Sequence, residues 1–121
     1  MKELVERAEE VSKRAYAPYS NYHVGAIVRT TDGREFEGTN VENAAYPLTQ
    51  CAEKTALGAA ASAGYRPGDI AAVAISASPC GGCRQWLHEW RVPKVSYRRE
   101  DGSIATRTAA ELLPDGWNLP G

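Results

Sequence analysis

Cys51, Cys80 and Cys83 are the only cysteines of this chain, and Glu53 lies two residues after the first of them. Cys80 and Cys83 form a Cys-x-x-Cys pair at the expected mouth of one helix, a spacing that turns two sulfurs toward one ion, and Cys51 opens another helix. Helix amino termini carry free N–H groups and partial positive charge, which favours thiolate, the form that binds metal. Three thiolates make a tetrahedral zinc site with one position left for water. Structural zinc normally takes four protein ligands, so the count favours catalysis. Glu53, in the first helical turn, reaches the open position without ligating, which is the placement of a general acid and base. A Cys-x-x-Cys alone also fits a redox pair or half of a structural zinc site. The redox reading leaves Cys51 unexplained, and a fourth structural ligand would have to be His23 or His88, neither at a spacing that completes the cluster.

Those residues need a scaffold, and the chain spells one out. Leu4, Ala8, Val11 and Ala15 recur at helical spacing, which predicts an amphipathic helix from Lys2 to Tyr16, stopped by Pro18. Val24 to Thr30 and Arg34 to Thr39 read as strands of a hairpin turning at Asp32-Gly33. Cys51 to Ala63 is alanine-rich and apolar on nearly every side, which predicts a helix that subunits pack around. Ile70 to Ala77 is an unbroken apolar strand leading into Pro79-Cys80 and a helix that runs to about Trp90. Val95 to Arg99 and Ile104 to Thr108 read as two more strands, followed by a short helical Glu-Leu-Leu. The expected fold is α/β, a three-layer α/β/α arrangement around a mixed five-stranded sheet, in one domain spanning residues 1–121.

Composition narrows the partners. Fourteen Lys and Arg against fifteen Asp and Glu give a net charge of −1, which leaves no broad basic footprint for nucleic acid. The longest apolar run, Ile70 to Ile75, is far short of the roughly 20 residues that span a bilayer, and the charged amino end lacks a signal-peptide pattern. A cytoplasmic protein without membrane or nucleic-acid partners is expected.

The blocks AYAPYSNYHVGA, GTNVENAAYPLTQCAEKTA, PCGGCRQ and ELLP occur in order between about Ala15 and Pro114. Cys-Ala-Glu followed by Pro-Cys-x-x-Cys matches the general signature of zinc deaminases. Together the blocks resemble the cytidine deaminase family, in its small, single-domain, three-cysteine branch. The resemblance implies hydrolytic conversion of cytidine or deoxycytidine to the uridine counterpart with release of ammonia, in pyrimidine salvage or detoxification. It implies one Zn²⁺ per subunit on Cys51, Cys80 and Cys83, with Glu53 moving protons between water, N3 and the departing amine. It also implies that Asn40 and Glu42 bind the ribose, that Tyr22 stands near the pyrimidine where the family usually has Phe, and that the Ala52 backbone touches the base. Ala44 and Tyr46 match residues that the family lends to a neighbouring subunit's site, so a homotetramer with shared active sites is the expected assembly.

The chain departs from that family in several places. Lys54 stands where the family usually has Arg and is the candidate to offset the charge of three thiolates around one zinc, with a point charge in place of a planar fork. The join between Ile75 and Pro79 is short, which opens the pocket and keeps blasticidin S deamination, or hydrolysis of N4-substituted cytidines, as rival activities. Trp86 and Trp90 form an i, i+4 pair expected at a core or subunit surface, and the tail from Asp115 to Gly121 ends early around Trp117. A polynucleotide deaminase needs a basic groove that one Arg98-Arg99 pair does not supply. A non-catalytic zinc scaffold has no use for Glu53.

Overall fold

The hairpin forms because Gly33 takes φ 92° at its turn, while the Thr30 hydroxyl bonds Asp32 and accepts the Arg34 N–H at 2.9 Å. It joins β1 (Gly25–Thr30) to β2 (Glu35–Thr39) in a computed structural model that describes residues 1–119. The other elements are α1 (Lys2–Ser12), a 3₁₀ turn (Tyr46–Leu48), α2 (Ala52–Ser62), β3 (Ile70–Ile75), α3 (Gly81–Glu89), β4 (Val95–Arg98), β5 (Ile104–Arg107) and α4 (Ala109–Leu112). The strands form one sheet in the order β2-β1-β3-β4-β5. Among the neighbouring strands of this sheet β3 and β4 pair in parallel and the others antiparallel, and α3 supplies the crossover that a parallel pair requires.

Alternation along the strands sends side chains to two cores. Ile27 of β1 and Ala74 of β3 meet Leu4, Val5, Ala8 and Val11 of α1. Ala26 and Val28, with Val73 and Ile75, face the opposite way and pack with Ala56, Leu57 and Ala60 of α2 and Leu87 of α3. Helices therefore cover both faces, and the α/β class, three layers and mixed five-stranded sheet all agree with the sequence. β3 is buried on both sides, as its unbroken apolar run requires.

Two glycines set how closely the helices lie on the hairpin. A Cβ at Gly25 would fall 2.2 Å from the Ala8 carbonyl oxygen of α1. One at Gly38 would fall 2.5 Å from the Ala56 nitrogen and 2.6 Å from the Ala52 carbonyl oxygen of α2. The first turn of α2 is thereby seated on β2 by a backbone contact.

The first helix is shorter than its periodicity predicts. It ends at Ser12, whose hydroxyl donates to the Glu9 carbonyl at 2.6 Å, and the Tyr16 N–H is taken by the Asn40 carbonyl at 3.2 Å. Tyr16 then bridges to Val41, so the chain leaves the helix for extended pairing well before Pro18. No helix among the described residues is long and apolar enough to cross a membrane.

Candidate active site

Cys51 caps α2 and Cys80 caps α3, both with extended backbone, so each sulfur stands at the positive end of a helix. Cys83 sits one turn into α3, fully buried, and its N–H points at the Cys80 sulfur at 3.5 Å. The Cys51 and Cys80 sulfurs are 4.0 Å apart and those of Cys80 and Cys83 3.3 Å, and all three lie within 4.8 Å of one another. Tetrahedral zinc with Zn–S bonds near 2.3 Å separates its sulfurs by about 3.8 Å. The cluster matches that spacing and donor chemistry, and it is the one group of its kind among the described residues; neither His23 nor His88 joins it.

Crowding three sulfurs splits their protonation. A hydrogen bond from Cys83, helped by Cys80 and the Lys54 charge against the cost of burial, lowers the Cys51 thiol to about 6. The same hydrogen bond to Cys51, together with burial and the nearby Glu53 charge, drives Cys83 strongly upward. A dication reverses that second shift, because it stabilises every thiolate at once. Glu53 is only 3% exposed, and burial raises its carboxyl above the ordinary range, although Cys83 opposes the shift by hydrogen bonding. Lys54 lies beside the Cys-x-x-Cys loop, since a Cβ at Gly82 would meet its Nζ at 3.8 Å.

The sulfurs and Glu53 open onto a cavity of about 180 Å³, also lined by Tyr22, Asn40, Thr49, Ala52 and Ser78. Asn40 is held rigidly in its wall: Oδ1 accepts the Val24 N–H at 2.9 Å and Nδ2 donates to the Tyr22 carbonyl at 2.7 Å. Ala52 is fully buried at the cavity floor, and Tyr22 stands at its edge, 62% exposed. Glu42 does not line this space. It accepts the Tyr19 and Ser20 N–H groups at 2.9 and 3.1 Å and the Ser20 hydroxyl, in an adjoining cavity shared with Tyr46 and Thr49. Thr49 borders both spaces. Tyr46 is 70% exposed and meets Tyr19 edge-on at 6.1 Å, while Ala44 is exposed and lines neither cavity.

Asn40 and Glu42 are thus not neighbours on one regular strand face. Both lie past the end of β2, where Val41 pairs with Tyr16 and with Gln50. Val24, Thr49, Ala77 and Ser78 are cavity residues that the sequence did not single out. Apolar or small side chains in connections carry no chemical signature, and only their closeness to the Asn40 and Cys80 segments marks them. Trp90 is buried and Trp86 is partly exposed. Trp117 folds back on α3 of its own chain, where Gln85 donates to its carbonyl at 2.9 Å. Pro120 and Gly121 of the short tail lie outside the described residues.

Fold and cluster together define a three-layer α/β/α protein with a three-cysteine metal site and a buried carboxylate beside it. The family model for the cytidine and deoxycytidylate deaminase zinc-binding region matches residues 1–99. The chain is 42% identical over 119 residues to a cytidine deaminase of Halalkalibacterium halodurans, covering 92% of this chain and 89% of that protein. Among solved structures, the cytidine deaminase of Burkholderia pseudomallei superposes with a TM-score of 0.89 at 45% identity, covering 96% of this chain and 98% of that one. That of Mycobacterium leprae gives 0.78 at 37% identity, with 94% and 97% covered. The chain belongs to the cytidine deaminase family of zinc-dependent hydrolases.

Proposed function

We propose that this protein hydrolyses cytidine and deoxycytidine to uridine and deoxyuridine, releasing ammonia. One observation carries the reading: a carboxylate almost wholly withdrawn from water shares a cavity with three sulfurs spaced for zinc. Zinc held by Cys51, Cys80 and Cys83 supplies Lewis-acid activation of a water molecule near neutral pH. Glu53 takes the proton that this water loses as its oxygen adds to C4 and delivers it to N3, then takes the remaining proton from the new C4 hydroxyl and passes it to the amine as the C4–N bond breaks and the C4 carbonyl forms. Its burial suits that work, because a carboxyl raised above its ordinary range holds a proton more readily once it has accepted one.

The pyrimidine occupies the sulfur-lined cavity, with Tyr22 over it and the Ala52 backbone at its edge. About 180 Å³ is below the roughly 300–1,000 Å³ of ordinary small-molecule pockets, so the ribose extends past Thr49 into the adjoining space. Asn40 and Glu42 then hold the sugar from two sides. Lys54 offsets the charge of the thiolates. Tyr46 and Ala44, exposed on the isolated chain, serve a neighbouring subunit, and we assign a homotetramer with shared sites. The half-buried outer face of α2, with Thr55, Gly58 and Ala59, allows the close backbone approach that such packing needs. Three free thiols suit the reducing cytoplasm, where pyrimidine salvage operates.

A second reading shares the chemistry. Ala77 and Ser78 form a short, small-residue wall next to Cys80, which leaves room for a substituent on the departing nitrogen. Incubating zinc-loaded protein with cytidine, deoxycytidine, an N4-acylcytidine and blasticidin S, with a chelated control, tests both readings by product chromatography. Rapid, chelator-sensitive uridine formation is expected. No product from any of the four with zinc bound one to one would reject the deaminase reading.

A further inference from the structure

Arg84 follows the last cysteine directly, and α3 turns it away from the sulfurs toward the segment that precedes Cys80. Its Nε donates to the Pro79 carbonyl at 3.0 Å, one terminal nitrogen donates to the Leu112 carbonyl at 3.0 Å, and the other meets the Ser78 hydroxyl at 3.3 Å. Pro79 is buried and immediately precedes Cys80, while Ser78 lines the cavity. Leu112 closes α4, where the last carbonyls of a helix lack partners within it. One planar guanidinium therefore spans three acceptors on two elements: the connection from β3 to α3 and the end of α4.

Bonds between Ser76 and Gly25 hold one end of that connection and the first turn of α3 holds the other, but its middle is open. Cys80 is exposed, Gly81 and Gly82 follow it with open space around their Cα atoms except for Lys54, and Ser78 is exposed. The Cys80 sulfur nevertheless lies 4.0 Å from that of Cys51 and 3.3 Å from that of Cys83. The first turn of α3 ties Cys80 to Cys83, since the Cys83 N–H meets the Cys80 sulfur and the Arg84 N–H bonds the Cys80 carbonyl; the Arg84 side chain adds a hold on the Pro79 carbonyl just before Cys80, and so on where this pair stands relative to Cys51.

We propose that Arg84 is a positioning residue for the metal centre, clamping the Ser78–Pro79 segment to α4 so that Cys80 is fixed before metal arrives. It touches neither substrate nor metal and acts through Cys80. The fork geometry matters more than the charge: a guanidinium serves three acceptors in fixed directions from three nitrogens, whereas the three donors of an ammonium all leave one atom. Partners one step removed from a metal typically change its affinity by about 10–100-fold when lost.

The proposal rests on the three cysteines binding zinc, and the experiment tests the two separately. Zinc-loaded wild-type protein, Arg84→Lys and Arg84→Gln are mixed with excess chromogenic chelator at a temperature where circular dichroism finds all three folded, and the rate of zinc release is followed. Cobalt-loaded samples are compared by their thiolate charge-transfer and d–d absorption. Expected is release from Arg84→Lys faster by about 10-fold or more, with Arg84→Gln at least as fast and both cobalt spectra altered. Lysine keeps the charge and the apolar stem, so it guards against a variant that merely fails to fold. Release from Arg84→Lys within twofold of wild type would overturn the proposal, and if Arg84→Gln alone were impaired, charge would replace positioning as the cause. Failure of the wild-type protein to take up one zinc would instead sink the reading of the site itself.

Discussion

Glu53 and the three sulfurs make opposing demands on one small volume. The carboxylate and the Cys51 thiolate each raise the cost of charging their neighbours, and burial adds to that cost. A zinc ion would offset the sulfur charge, and Lys54, whose charge favours the Cys51 thiolate, and two helix termini stand where they would contribute the rest. Replacing the acid with its amide separates proton transfer from metal binding. Glu53→Gln keeps the shape and a neutral side chain, so zinc stays at one per chain while kcat falls by about 10²–10⁴-fold, measured by metal analysis and steady-state turnover. Turnover at the wild-type rate would refute the role given to Glu53. Asn40 makes a different prediction, because both ends of its amide already serve the backbone at Val24 and Tyr22. Asn40→Ala releases that segment as well as any sugar contact, so it lowers kcat/KM and also stability by about 1–3 kcal/mol, read from denaturant midpoints.

At the scale of elements, the site depends on how α2 and α3 are seated on the sheet. Gly38→Ala puts a methyl group against the backbone of Ala52 and Ala56, which no rotamer change can relieve. The variant loses about 1–3 kcal/mol by overpacking and binds zinc more weakly, because the displaced turn carries Glu53 next to Cys51; unaltered urea midpoint and metal content would count against the close seating. The hairpin is tied to the first helix by charge. Glu35 on β2 accepts from Arg7 of α1 and from Arg29 of β1, and the Arg7 hydrogen bond, then that of Arg29, holds its carboxyl below the ordinary 4.5. A carboxyl with a lowered folded value contributes stability above its unfolded value, and that contribution is lost as pH falls through the folded one. Glu35→Gln is therefore less stable than wild type at neutral pH, with a gap that narrows as pH falls below the ordinary carboxyl value of 4.5 in urea titrations. A gap independent of pH would show that packing, not charge, joins these elements.

For the whole molecule, the exposed aromatics and the outer face of α2 belong to one question, which is what covers them. Tyr46 and Leu48 are each 70% exposed, and Gly58 has open space where a side chain would begin. On an isolated chain, Gly58→Arg is a tolerated change at a half-buried helix position with open space where the side chain begins. In a tetramer packed through α2 it places a long charge in a close backbone contact. The outcome expected from the proposed assembly is dissociation to a folded but inactive species, seen by light scattering coupled to size exclusion, because Tyr46 would then no longer reach a neighbouring site. Unchanged mass and turnover would remove α2 from the interface.

What the sequence determined by itself was the chemistry and the element order. Cysteine spacing, a glutamate within one helical turn, an Asp-Gly hairpin and an unbroken apolar strand are local signals, because covalent geometry and backbone preference act over a few residues. Tertiary structure decided what depends on distance across the chain. It ended α1 at Ser12 by drawing Tyr16 into a bridge with Val41, and it set Glu42 in a space beside the one that holds Asn40. It also aimed Arg84 at the carbonyls of Pro79 and Leu112, residues 5 and 28 positions away. Backbone carbonyls are present at every residue, so no sequence pattern marks which ones a side chain will meet; only the packing of α3 against α4 and the sheet selects them.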